Sequence, residues 1–268
     1  MAASKPTLVL VHGSWHRPEH FEPTSRLLHE AGYKIETVHL PTVHATADKT
    51  SKNMDDDVEA VRKLVDSILS RGENVVVVAH SYGCHVGMSA LGSLDPKNRS
   101  SNGYQTAVQA VVAISGVALA PGLTQLEQLG GSLPPYKKLV NGLTYPQHET
   151  GLHKLFYGDL SEEDAKPYID MLSWQSYAAM LKPLPDLSTP CKDIPVSYLM
   201  TKQDVILPYD VQKVCLSNIR AGGVIVHVEE ADSSHSPFLS EPEATANFIR
   251  NRAGETAIQS DFKVVQTS

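Results

Sequence analysis

Val75-Val76-Val77-Val78-Ala79 leads straight into His80-Ser81-Tyr82-Gly83-Cys84-His85-Val86-Gly87, and this junction decides the architecture. The five apolar residues suit neither the alternation of a half-exposed strand nor an amphipathic helix, so they read as a strand covered on both faces, in the middle of a parallel sheet. Residues 82–91 read as the helix that follows, with Gly83 and Gly87 allowing close approach to the sheet. A strand that turns directly into a helix forces strained torsions on the residue between them, here Ser81. Only small side chains fit two positions before and two after it, here Ala79 and Gly83. Ala79 stands where the G-x-S-x-G pattern has glycine, a departure that still obeys the steric rule. The pattern [AG]-x-S-x-G arises by chance about 0.2 times in a chain of this length, and a serine after a strand is otherwise a helix cap. The strand–helix junction is what gives it weight.

Outward from this point, strands alternate with helices. Residues 7–11, 33–40, 107–114, 195–200 and 224–228 read as further strands. Residues 23–31, 54–69, 209–219 and 243–251 have helical spacing with stop signals such as Gly32 and Gly72. The alternation predicts a parallel α/β sheet. It breaks at 121–190, a stretch with several prolines and the Gly130-Gly131 pair. That is too long for a loop, so it reads as a helical insertion over the carboxyl edge of the sheet, placed before the strand at 195–200. Within it Pro167 predicts a helix that starts at the proline, not at Ser161. The polar run 95–103 reads as a surface loop. These readings divide the chain into a core of 1–120 and 191–253, a cap of 121–190 and a loose tail of 254–268.

Composition narrows the function. Of 268 residues 41% are hydrophobic and 20% charged, the balance of a globule with a sizeable core. Lys plus Arg is 23 against 30 acids, a net charge of −7 that offers no footprint for nucleic acid or anionic lipid. Cys84, Cys191 and Cys215 are too few and scattered for a disulfide framework or a CxxC metal site, and no H-E-x-x-H spacing exists, so no metal is expected. No apolar run approaches the roughly 20 residues of a membrane span and no leader is visible, which predicts a cytoplasmic protein. The expected partner is a small-molecule substrate, with neither nucleic acid nor membrane; a homodimer is compatible with the chain.

A serine hydroxyl becomes a nucleophile when a base takes its proton and an acid holds that base. In a fold with this junction the partners follow in the order Ser, Asp/Glu, His. Asp204, after the strand at 195–200, and His235, in Ser233-Ser234-His235-Ser236-Pro237-Phe238, satisfy that order. Both sit in loops after strand carboxyl ends, where open α/β sheets gather ligands. Glu229, Glu230 and Asp232 are rival acids, but they lie on the strand that delivers the histidine. His80 is expected to point into the fold, and His85 to be a packed helix residue. Acyl transfer also needs two N–H donors for the developing oxyanion. Tyr82 supplies one, and the loop His12-Gly13-Ser14-Trp15 supplies the other from Ser14. Gly13, Trp15, Trp174 and Phe238 are candidate substrate contacts. Leu155, Phe156, Met171, Leu172, Tyr177 and Met180 are further candidate pocket walls from the cap.

Taken together these residues resemble the α/β-hydrolase superfamily over almost the whole chain to about residue 250. His12-Gly13-Ser14-Trp15 and His235-Ser236-Pro237-Phe238 are similar to a small branch with plant methylesterases, hydroxynitrile lyases and uncharacterised microbial or fungal hydrolases. The resemblance implies an α/β-hydrolase fold with about six parallel strands, a helical cap and a Ser81–Asp204–His235 triad working without a cofactor. In the cyanide-handling lyases of that branch a threonine stands at the position of Gly13, and a lysine follows the histidine where this chain has Ser236. The expectation is therefore a serine hydrolase acting on an ester or thioester of a small or medium apolar metabolite. The alternatives are a cofactor-free lyase, retro-aldol or cyclase reaction with His235 as base, and, less favoured, a small-molecule receptor.

Overall fold

The computed structural model describes residues 4–44, 50–147 and 151–265. Its central sheet is built from β1 (Thr7–Val11), β2 (Ile35–Thr37), β3 (Val75–His80), β4 (Val108–Ile114), β8 (Val196–Thr201), β9 (Val226–Ala231) and β10 (Lys263–Val264), in the order β10-β9-β8-β4-β3-β1-β2. All neighbours are parallel except β10 on β9. The valine run is central, as its composition requires: Val77 pairs with Val9 on one side and Val111 on the other.

The period of two divides that run between two cores. Val75, Val77 and Ala79 pack under α2 (Met54–Ser70), α3 (Tyr82–Ser89) and α9 (Tyr209–Arg220), while Val76 and Val78 join Phe21, Leu28, Phe248 and Ile249 of the α1 (Glu22–Glu30) and α11 (Pro242–Arg252) layer. Because β1 leads to β2 on one side and to β3 on the other, the strand order reverses between β1 and β3. That is where an open α/β sheet forms its crevice. Ser14 and Ser81 follow these two strands.

Several expectations are corrected. The strand expected at 33–40 pairs only over Ile35–Thr37. The run 95–103 is not all loop: Asp95 caps α4 (Pro96–Ser101) by accepting the Asn98 N–H at 2.8 Å, with proline at the first helical position. The helix α7 (Glu162–Asp170) starts at Ser161 and not at Pro167. Its capping serine accepts the Asp164 N–H, and three acids face the positive helix end, which together outweigh one interior proline. The insertion is not purely helical. Alongside α5 (Gln125–Gln128) and α6 (Leu152–Phe156) it holds a three-stranded antiparallel sheet of β5 (Lys137–Val140), β6 (Leu143–Pro146) and β7 (Gln175–Ser176). The tail is not loose throughout, because β10 adds the seventh strand and Phe262 is buried against Phe248. Two-residue strands give no periodicity to read. Among the described residues no helix is long and apolar enough to cross a membrane, and all three cysteines are buried and unpaired.

Candidate active site

Ser81 sits at φ 52°, ψ −125°, the strained left-handed turn that a strand-to-helix reversal demands. The tight packing around it explains the small residues. A Cβ on Gly83 would lie 2.4 Å from the His12 carbonyl oxygen and 2.5 Å from that of Val11. A Cβ on Gly87 would lie 3.4 Å from Ala79 Cβ, already in van der Waals contact, so the helix rests close against the strand at position 79. The Ser81 carbonyl accepts N–H groups from Cys84 and Val117, and its own N–H donates to Ile114, so the turn is fixed on three sides.

His235 and Asp204 arrive from loops after β9 and β8. His235 Nδ1–H donates to Asp204 Oδ2 at 2.6 Å, both side chains being buried. The carboxylate is held further by N–H groups of Ile206 (2.9 Å) and Leu207 (2.8 Å) on Oδ1 and by the Thr201 hydroxyl on Oδ2. Gln212 of α9 braces this loop, donating to the carbonyls of Thr201 and Leu207 and accepting the Thr201 N–H. On the histidine side, His80 Nε2–H donates to the His235 carbonyl at 2.9 Å, and the Ser115 hydroxyl reaches the same oxygen at 3.2 Å. The rival acids are engaged elsewhere: Glu229 with Arg252 and His227, Glu230 with the Tyr209 hydroxyl, Asp232 with Lys202 and Gln203.

Ser81 and His235 line one cavity of about 260 Å³ together with Ser14, Tyr82, Trp15 and Phe156. Among the described residues no carbonyl takes the N–H of Ser14 or of Tyr82. The Tyr82 side chain turns away and donates its hydroxyl to Asp57 Oδ2 at 2.7 Å, where Thr42 adds its N–H and hydroxyl. Burial pushes the Asp57 carboxyl up to about 6 and the Tyr82 phenol well above its ordinary range.

Four more histidines surround this region. Burial lowers His12 to about 3 and His20 to about 4, and holds His16 and His80 well below 6.5. Their bonds match neutral rings: His16 Nδ1–H donates to the Ser14 carbonyl while Nε2 accepts the Tyr157 hydroxyl. His80 and His235 stand with ring centres 4.6 Å apart, so a neutral His80 leaves His235 without a repelling cation beside it. His80 thus points into the fold, and His85 is a buried residue of α3, as the sequence suggests.

The candidate substrate contacts divide. Trp15 lines the cavity. Gly13 does not: it is a packing position, where a Cβ would lie 2.9 Å from Ser81 Cβ and 3.0 Å from His80 Nδ1. Phe238 lies behind the site, fully buried, stacked on Phe21 at 4.4 Å and edge-on to His80. Trp174, 37% exposed, packs against Tyr145 with the two rings tilted, beside a separate cleft shared with Leu172. Of the other cap candidates Phe156 reaches the cavity, whereas Leu155, Met171, Tyr177 and Met180 do not. The insertion instead contributes Gln125, Gln128, Leu129, Tyr136 and Lys137. It also contributes Asp159, which accepts the N–H and hydroxyl of Ser234 and the hydroxyl of Ser240, fastening the loop on both sides of His235. No sequence signal marks these residues, since their role depends on how the insertion folds over the sheet edge.

The family model described as "Alpha/beta hydrolase family" matches residues 8–248. A curated relative, the alpha/beta hydrolase nvfD of Aspergillus novofumigatus, is 28% identical over 265 residues, covering 94% of this chain and 98% of its own. The pyrethroid hydrolase of Sphingobium wenxiniae is 25% identical over 263 residues, covering 93% and 88%. Among solved structures, methylesterase MES16 from Arabidopsis superposes with a TM-score of 0.67 at 19% identity, over 92% of this chain and 98% of its own. At that identity the likeness is one of fold.

Proposed function

From the premise that this chain belongs to the alpha/beta hydrolase family, we propose that it is a serine hydrolase cleaving an ester or thioester of a small or medium apolar metabolite. The observation that carries this reading is the pairing, in one largely apolar cavity, of a strained Ser81 with an imidazole whose far nitrogen is held 2.6 Å from the buried Asp204.

Ser81 Oγ attacks the acyl carbon while His235 Nε2 takes its proton, forming a tetrahedral intermediate. Asp204 keeps Nδ1 protonated, fixing the tautomer that leaves Nε2 free, and stabilises the imidazolium that forms. The amides of Ser14 and Tyr82 receive the oxyanion, which is worth about 3–4 kcal/mol per donor in such sites. His235 then returns the proton to the departing alcohol, and water repeats the cycle on the acyl-enzyme. No step calls on a cofactor. The hydrolase names of relatives such as nvfD and the pyrethroid hydrolase agree with this chemistry. The substrate is the only partner this reading needs, and three unpaired cysteines suit a reducing compartment such as the cytoplasm. Gly13 argues against cyanohydrin cleavage, because a threonine there would press on Ser81 and His80.

The test is hydrolysis of short aryl esters by the wild type and by Ser81→Ala, beside cyanide release from mandelonitrile. The expected result is ester turnover that falls by about 10⁴-fold or more in the variant, because such groups act as a unit. Robust ester hydrolysis by Ser81→Ala, or cyanide release with esters untouched, would contradict it.

A further inference from the structure

The cavity beside Ser81 contains one fixed cation, Lys137, and among the described residues that line it there is no carboxylate. Lys137 opens β5 in the insertion, and its side chain folds inward until the residue is only 9% exposed. Its Nζ stands 4.8 Å from the centre of the Trp15 ring and 3.9 Å from Met180 Sδ. Neither neighbour is an anion. A ring face attracts a cation weakly, and a thioether is a poor acceptor. An ammonium taken out of water without a counter-charge is costly, and burial alone lowers Lys137 to about 8. A leucine or methionine would fill the same space without that cost. A titratable group whose solvation and partners are so mismatched, in the wall of a reaction cavity, has the properties of a ligand-binding group.

Its position relative to the chemistry is also fixed. Trp15 follows Ser14 directly and is held at φ 61°, a conformation a bulky residue adopts only when its surroundings impose it. Its ring is locked edge-on against Phe156 at 5.9 Å, and Phe156 lies 6.1 Å from His235. The ammonium is therefore tied to the wall that carries the Ser14 amide.

We propose that Lys137 is the anion receptor of this cavity, and that the substrate is an ester bearing a carboxylate at the end remote from the scissile carbonyl. The inference rests on the hydrolase reading of the same cavity and amends its substrate class: the body of the metabolite is apolar, and the end remote from the ester is charged. The carboxylate takes up the N–H donors of Lys137, which meet no oxygen among the described residues, in a charge-assisted bond. The remaining lining, Val117, Leu119, Leu129, Ile206 and Leu207 among it, covers the aliphatic span between the two ends.

The test compares monomethyl succinate, glutarate, adipate and suberate with methyl esters of monocarboxylic acids of the same lengths, by pH-stat. For the best length, kcat/KM should favour the anionic ester by about tenfold or more, and Lys137→Met should lower that preference by about tenfold, the size of one charge-assisted bond. In the wild type the preference should fall as pH rises through about 8, as the ammonium is lost. This decides the matter if the variant does not fold. Among the described residues, Tyr82, Tyr136 and His235 are the other titratable groups lining the cavity. Burial raises both phenols, Tyr136 to about 12, and His235 serves both esters alike, so it cancels in the ratio. Calorimetric binding of succinate, adipate and suberate to Ser81→Ala, with and without Lys137→Met, needs no turnover. Ester cleavage with no preference for the anionic partner, or a preference that survives Lys137→Met, overturns the proposal and leaves the hydrolase intact. If no ester is cleaved, the hydrolase reading fails and binding decides: Lys137-dependent dicarboxylate binding upholds the receptor, and its absence overturns it.

Discussion

Lowering the pH should unfold this protein at unusually mild acidity, because its interior holds histidines that refuse protons. Burial lowers His12 to about 3 and both His20 and His85 to about 4, and keeps His16 and His80 well below 6.5. An imidazole depressed in the folded state and ordinary in the unfolded chain stabilises the fold above about pH 6.5. That stability is lost as pH falls from 6.5 toward the folded value, since the unfolded chain then binds protons the folded one does not. Between about pH 7.5 and about pH 5, His12, His20 and His85 each forfeit about 2 kcal/mol, roughly 1.5 units at 1.36 kcal/mol per unit. The three lose about 6 kcal/mol together, and His16 and His80 deepen the loss. Asp57 acts in the opposite sense. Its carboxyl is raised to about 6 from 3.8, so over the same interval the fold gains about 1.4 kcal/mol. The net loss is comparable with the whole stability of a typical domain, about 5–15 kcal/mol. Urea unfolding followed by far-UV circular dichroism at the two pH values measures it directly. A free energy of unfolding that changes by less than about 1 kcal/mol would refute the assignment of buried neutral histidines.

Other variants probe the geometry. Gly83→Ala forces a methyl group to within 2.4 Å of the His12 carbonyl, and should cost about 2–3 kcal/mol in urea unfolding along with activity. Asp57→Ala strips the acceptor from the Tyr82 hydroxyl and from Thr42, so stability should drop by about 1–3 kcal/mol; unchanged melting would show that Asp57 does not hold Tyr82, and with it the turn at Ser81, in place. Asp204→Asn should fold normally yet lower kcat by about 10⁴-fold, since the amide favours the wrong imidazole tautomer. Glu230→Gln, whose carboxylate is engaged by Tyr209, serves as the control, and a larger loss there than at Asp204 would mean the acid is misassigned.

The sheet was legible because its strands are dense in β-branched residues and its helices carry a 3.6-residue period. Ser81, Asp204 and His235 could be picked out because each follows a strand whose end is visible in the sequence. Position 81 is further marked by what its surroundings demand, small residues at 79 and 83. Trp174 and Phe238 misled for a common reason. An aromatic beside the right motif reads as a substrate contact, yet whether it faces a cavity or the core depends on packing across elements far apart in sequence. Lys137 was invisible for the converse reason. On a short strand of the insertion it reads as a solvated charge, and only the fold of the cap over the carboxyl edge draws it down beside Trp15.

Covalent trapping decides whether Ser81 is the acylated nucleophile. Purified enzyme is treated with a fluorophosphonate, residual ester hydrolysis is followed in parallel, and the modified peptide is located by mass spectrometry. One equivalent of probe is expected on Ser81, with activity lost in step with labelling. An enzyme that hydrolyses esters while Ser81 stays unmodified, or that carries the label on another residue, would contradict it.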